Sequence, residues 1–100
     1  MPRCARKKGE YEMYHVMQRG NEKKSIFYDD EDLKRYLEIL QKNQEKYESK
    51  IYAYCLMDNH VNLLIATNGS DISQVMKSIN VSYVMYINRK HVRCGHLFQL

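Results

Sequence analysis

No apolar run in this 100-residue chain approaches the roughly 20 residues that a membrane-spanning helix requires. A secretory signal is also missing: the opening Met1-Pro2-Arg3-Cys4-Ala5-Arg6-Lys7-Lys8 is basic, but no apolar segment follows it. Cysteine is scarce. Cys4, Cys55 and Cys94 are odd in number and widely spaced, with no C-x-x-C pair, which argues against a disulfide framework and a structural zinc site. Repeats, low-complexity tracts and linkers are absent as well. The expectation is one cytoplasmic domain over residues 1–100, with one modest core. At 44% apolar and 28% charged residues, the composition is that of an ordinary soluble globular protein.

What is present begins with charge. The formal net charge is +4 and the isoelectric point is near 9.0. Arg3, Arg6, Lys7 and Lys8 cluster at the start; Arg89, Lys90 and Arg93 cluster near the end, with Lys77 on the same predicted helix. Asp29-Asp30-Glu31-Asp32 forms a contrasting acidic patch. Such clusters suit a polyanion, or else simply a solvated surface.

The patterning gives six elements. Tyr11 to Arg19 reads as a first strand, ending at Gly20-Asn21. Both of its faces carry bulky groups, which leaves its inward face undecided, and His15 reads as a hydrogen-bonded structural histidine or else as a supporting group near a metal. Asp29 or Asp30 caps a helix running to about Glu48, with Leu33, Leu37, Leu40, Gln44 and Tyr47 as its buried stripe. Ile51 to Met57 and His60 to Ala66 are two further strands joined by the polar step Asp58-Asn59. Ser70 or Asp71 caps a second helix with Ile72, Val75, Met76, Ile79, Tyr83 and Ile87 on one stripe, ending near Lys90 or His91. His96 to Leu100 opens a fourth strand. This βαββαβ order predicts an α+β, ferredoxin-like split βαβ fold, with both helices on one face of an antiparallel sheet.

The third strand carries the chemistry. Its period is two, so Val61, Leu63 and Ile65 face the helices while His60, Asn62, Leu64 and Ala66 face the open side. His60 and Asn62 then stand about 7 Å apart along the strand, where they can converge on one ion or one phosphate. Asn62 could instead sit on a polar sheet face and bind nothing.

The run Tyr54-Cys55-Leu56-Met57-Asp58-Asn59-His60-Val61-Asn62-Leu63-Leu64 resembles the Y-x-x-M-x-N-H-x-H-L-L signature of single-tyrosine HUH transposases, most closely the REP-associated tyrosine transposases. Tyr14 to Gly20, Ile26-Phe27 with Asp29-Asp30, Ser82-Tyr83 to Asn88, and Gly95 to Gln99 extend the resemblance over nearly the whole chain. It implies the same ferredoxin-like fold, a role in DNA transposition, and binding of hairpin or single-stranded DNA, with paired protomers. It also implies a divalent metal, Mg²⁺ or Mn²⁺, held at positions 60 and 62. The second motif histidine is Asn62 here, so the ion is expected to be weakly bound or absent. Arg19, in the family's Arg-Gly pair, joins Arg3, Arg6, Lys7, Lys8, Lys77, Arg89, Lys90 and Arg93 as expected DNA contacts.

In that family the nucleophilic tyrosine lies downstream of the hairpin that begins at Gly95, and its Y-I-x-x-N-P segment is absent from this sequence. Tyr83 and Tyr86 resemble it superficially but read as packing residues. The resemblance thus implies a cleavage-impaired DNA-binding domain. The alternative is a non-catalytic module of the same fold that binds DNA hairpins or RNA, with Tyr52 and Tyr54 as the only obvious base-stacking pair.

Overall fold

A computed structural model describes residues 11–20 and 25–91. They form β1 (Tyr11–Arg19), α1 (Asp30–Tyr47), β2 (Ser49–Met57), β3 (His60–Asn68) and α2 (Ile72–Lys90). The predicted fourth strand, His96 to Leu100, lies outside the described residues. The sheet is antiparallel with order β1-β3-β2, so β3 is central. This is the α+β arrangement expected, in the ferredoxin-like order.

Both helices pack on the same side of β3. Val61, Leu63 and Ile65 are buried there with Tyr36, Ile39 and Leu40 of α1, and with Val75, Met76, Ile79, Tyr83 and Ile87 of α2. Ile26 and Phe27, from the segment before α1, complete this core. Phe27, Tyr36 and Tyr83 meet in edge-on or tilted contacts with ring centroids 5.2–5.4 Å apart, the geometry that aromatic quadrupoles prefer. β1 turns Tyr14 and Val16 toward the core and His15, Met17 and Arg19 toward solvent, which settles its inward face. His15 is therefore exposed opposite Leu64, on the open side of the sheet, where it does not serve as a hydrogen-bonded structural histidine.

Element ends follow local chemistry. Asp29 is the α1 cap and accepts from the Asp32 amide at 3.0 Å. Asp71 caps α2 through the Ser73 amide at 2.9 Å. Ser70 donates instead to the Tyr47 carbonyl, satisfying the end of α1. Glu48 takes the left-handed C-cap conformation at φ 50°, so β2 begins at Ser49, two residues earlier than expected. Thr67 and Asn68, read as a break, stay in β3 because Ser49, Glu12 and Tyr11 pair with them. A bulge between Ile51 and Ala53 leaves Tyr52 as the extra residue on edge strand β2.

The buried face of α1 is rotated from the predicted stripe. Its buried residues are Asp32, Tyr36, Ile39, Leu40 and Asn43, while Leu33, Leu37 and Tyr47 only flank the core. That face includes the carboxylate of Asp32, which hydropathy alone would place in water.

Candidate functional site

The site sits where β2 turns into β3. Asp58 and Asn59 make a two-residue connection, and Met57 pairs directly with His60. Neither turn residue takes a positive φ, so this is not one of the mirror-image turns that usually close such hairpins. Other segments hold it. The Asp58 carbonyl accepts from the amides of Ile26 at 2.6 Å and Phe27 at 3.3 Å, and the Asn59 carbonyl accepts from Gly20 at 2.9 Å.

Register then lays the open face out in rows. Arg19, His60 and Met57 lie side by side across β1, β3 and β2; Met17, Asn62 and Cys55 form the next row. Neighbours within a row are roughly 5 Å apart at Cβ. His60 is oriented by its own neighbour: its Nδ1 lies 2.6 Å from Asn59 Oδ1. An amide oxygen only accepts, so Nδ1 is the donor in this contact. Arg19 is exposed and makes no ion pair among the described residues.

The donor set does not suit a hard divalent ion. Mg²⁺ and Mn²⁺ favour carboxylate and other oxygen ligands, and the two rows at this end of the face offer one imidazole, one amide, sulfur groups and a guanidinium. Among the described residues, no group of three or more His, Cys, Asp or Glu side chains is placed to hold a metal.

The two candidate tyrosines lie on the helical side, away from His60. Tyr83 is fully buried, donates to the Ile26 carbonyl at 2.7 Å, and is raised well above the ordinary tyrosine range, chiefly by burial. Tyr86 donates to Asp32 Oδ1 at 2.8 Å and reaches Glu31 Oε1 at 3.2 Å. Desolvation and then that bond to Asp32 push it up to about 12. A phenol held neutral among carboxylates is a poor nucleophile toward a phosphate.

Lys90 belongs to the same structural cluster. Its ammonium lies 2.9 Å from Asp29, 2.8 Å from Asp32 and 3.3 Å from Glu31. Burial alone would push Asp32 up. Hydrogen bonds from Lys90, the Tyr28 amide and Tyr86 outweigh that and hold its carboxyl below the ordinary value. Lys90 thus joins the start of α1 to the end of α2, with its ammonium shared among three carboxylates.

Of the other expected contacts, Arg19 is on the open face, while Lys77 and Arg89 are exposed on α2. Arg3, Arg6, Lys7, Lys8 and Arg93 lie outside the described residues. Sequence reasoning missed Asn59 as the group that orients His60, although its position just before His60 was a usable signal. It also missed Arg19 as the direct neighbour of His60, which only strand register reveals.

Among the described residues, no helix is long and apolar enough to cross a membrane. The fold is similar to a solved structure from Deinococcus radiodurans R1 that bears the name of a transposase. The TM-score is 0.68 at 14% identity, over 89% of this chain and 68% of that one. No curated protein matches the chain significantly. The family model described as "Transposase IS200 like" matches residues 10–99, a span holding both strands of the His60 hairpin, and the chain belongs to the IS200-like transposase family.

Proposed function

We propose that this chain serves DNA transposition by binding hairpin or single-stranded DNA through the His60 end of the open sheet face, and that strand cleavage is impaired in it. Family membership gives the partner class, DNA. The observation that carries the reading is the row in which Arg19, exposed and without an ion pair among the described residues, neighbours His60. A guanidinium there supplies a fixed donor fork for a backbone phosphate. Lys77 and Arg89, exposed on α2 on the helical side, and the basic residues near both ends of the sequence are further candidates for contacts outside that face. Two features support impaired cleavage: an amide at position 62, and the helical-side burial or carboxylate pairing of Tyr83 and Tyr86.

Titration of labelled hairpin DNA against single-stranded, duplex and RNA oligonucleotides at several salt concentrations tests the reading. The expected result is preferential binding of hairpin or single-stranded DNA. Log affinity should fall by about 0.7 per log unit of salt for each single-strand phosphate contact. Absence of binding at low salt rejects the proposal. Preference for RNA favours the alternative, in which exposed Tyr52 and Tyr54 stack bases.

A further inference from the structure

The open face is unusually rich in sulfur for a surface. Met17 and Met57 are 61% and 53% exposed, and Cys55 is an exposed free thiol. Methionine ordinarily fills gaps in cores, so thioethers standing in solvent beside a thiol and an imidazole call for a reason. Register brings them together: Met57 is the direct partner of His60, and Cys55 and Met17 flank Asn62 in the adjacent row. Cys55 and Met57, two apart on β2, point to the same side as His60.

We propose that this face binds a thiophilic metal ion, copper(I) being the best matched, through Cys55, Met57 and His60, with Met17 able to close the set. Three observations converge. Asn59 Oδ1, 2.6 Å from His60 Nδ1, anchors the ring through that nitrogen and leaves Nε2 as the other ring donor atom, the arrangement by which an outer partner fixes a metal-binding imidazole. Thiolate and thioether select soft ions over Mg²⁺ and Mn²⁺. Arg19, directly beside His60, repels a dication twice as strongly as a monocation at equal distance, and the thiolate neutralises a single positive charge. Methionine's three rotatable bonds let both thioethers swing onto an ion above the sheet. Asn62, a hard oxygen donor, is not a ligand in this site. The proposal stands independently of DNA binding.

The test uses the full chain carrying Cys4→Ser and Cys94→Ser, so that Cys55 is the sole thiol. Copper(I) is titrated anaerobically against a chromophoric copper(I) chelator, with Mn²⁺ followed in parallel by calorimetry. This protein should compete for one equivalent of copper(I) and bind it far more tightly than Mn²⁺. Adding Cys55→Ser should abolish the competition, and His60→Ala and Met57→Leu should each weaken it. Asn59→Ala should cost about 10–100-fold by loosening the imidazole, as outer-shell partners do. Circular dichroism checks that each variant keeps its fold. Failure of the Cys55-only protein to compete, full affinity after Cys55→Ser, or tighter binding of Mn²⁺ than of copper(I) would each overturn the proposal.

Discussion

The two sides of β3 treat polar groups in opposite ways. On the helical side, the carboxylate of Asp32 is wholly buried and receives hydrogen bonds from Lys90, Tyr86 and the Tyr28 amide. On the open side, Arg19, Met17, Met57 and Cys55 are left exposed to solvent, and Asn62 is half-covered. Buried polar groups must be paired or the fold loses stability; exposed ones need no partner from their own chain. The Asp32 cluster on the helical side is therefore spent on stability, and exposed polarity on the open side is free for a ligand. This places the tyrosines of α2 with the first group and His60 with the second.

The largest effect should come from cutting the apolar side. Leu63 is 1% exposed beneath both helices, so Leu63→Ala should cost about 2–5 kcal/mol as a buried deletion. His60→Ala, on the other side of the same strand, should cost much less in urea denaturation. Equal losses would show that the two sides are not distinct.

Next comes the buried carboxylate. Asp32→Ala removes hydrogen bonds to a charged acceptor, for which about 1.5–3 kcal/mol is expected. Its pH signature has a definite sign. Asp29 and Asp32 both have depressed values in the fold, Asp29 chiefly through Lys90. Their contribution is thus fully present above the unfolded value of about 3.9 and is lost as pH falls through the lower folded values. Melting temperature should drop below about pH 4, and the drop should be shallower in Asp32→Asn.

DNA binding sharpens the contrast between two cations. Arg19→Ala should reduce the salt slope by about 0.7, one single-strand contact. Lys90→Ala should lower the melting temperature and leave that slope unchanged. A reversed pattern would assign Lys90 to the ligand and Arg19 to the fold.

The smallest effect concerns position 62. Asn62→His restores the H-x-H pair of the family signature on one strand face, so Mn²⁺ affinity should rise measurably in calorimetry. Strand cleavage should not return, because neither α2 tyrosine faces that site. A covalent DNA adduct mapped to Tyr83 or Tyr86 would contradict this.

The division of β3 was legible from sequence because a strict period of two leaves no choice once Val61, Leu63 and Ile65 must be buried. The α2 stripe was legible for a similar reason, since its apolar residues repeat at helical spacing. The α1 face was not. Asp32 is buried only because Lys90, 58 residues away, comes to meet it, and no local pattern encodes that partner. His60 and Asn62 were visible as neighbours along one strand, whereas Arg19 and Cys55 become their neighbours only through pairing with β1 and β2. Local periodicity thus set the faces, and long-range register populated them.

The hairpin tip has one more implication, for the lengths that the chain can tolerate. Surface turns of small polar residues are usually where insertions are absorbed. Here both turn carbonyls are already occupied by amides from Gly20, Ile26 and Phe27. One added residue between Asp58 and Asn59 would carry those carbonyls away from their donors and swing Asn59 off the His60 ring. Substitutions that keep the backbone path, such as Asp58→Ser, leave the amides where they are. At this tip the residue count is constrained more tightly than residue identity.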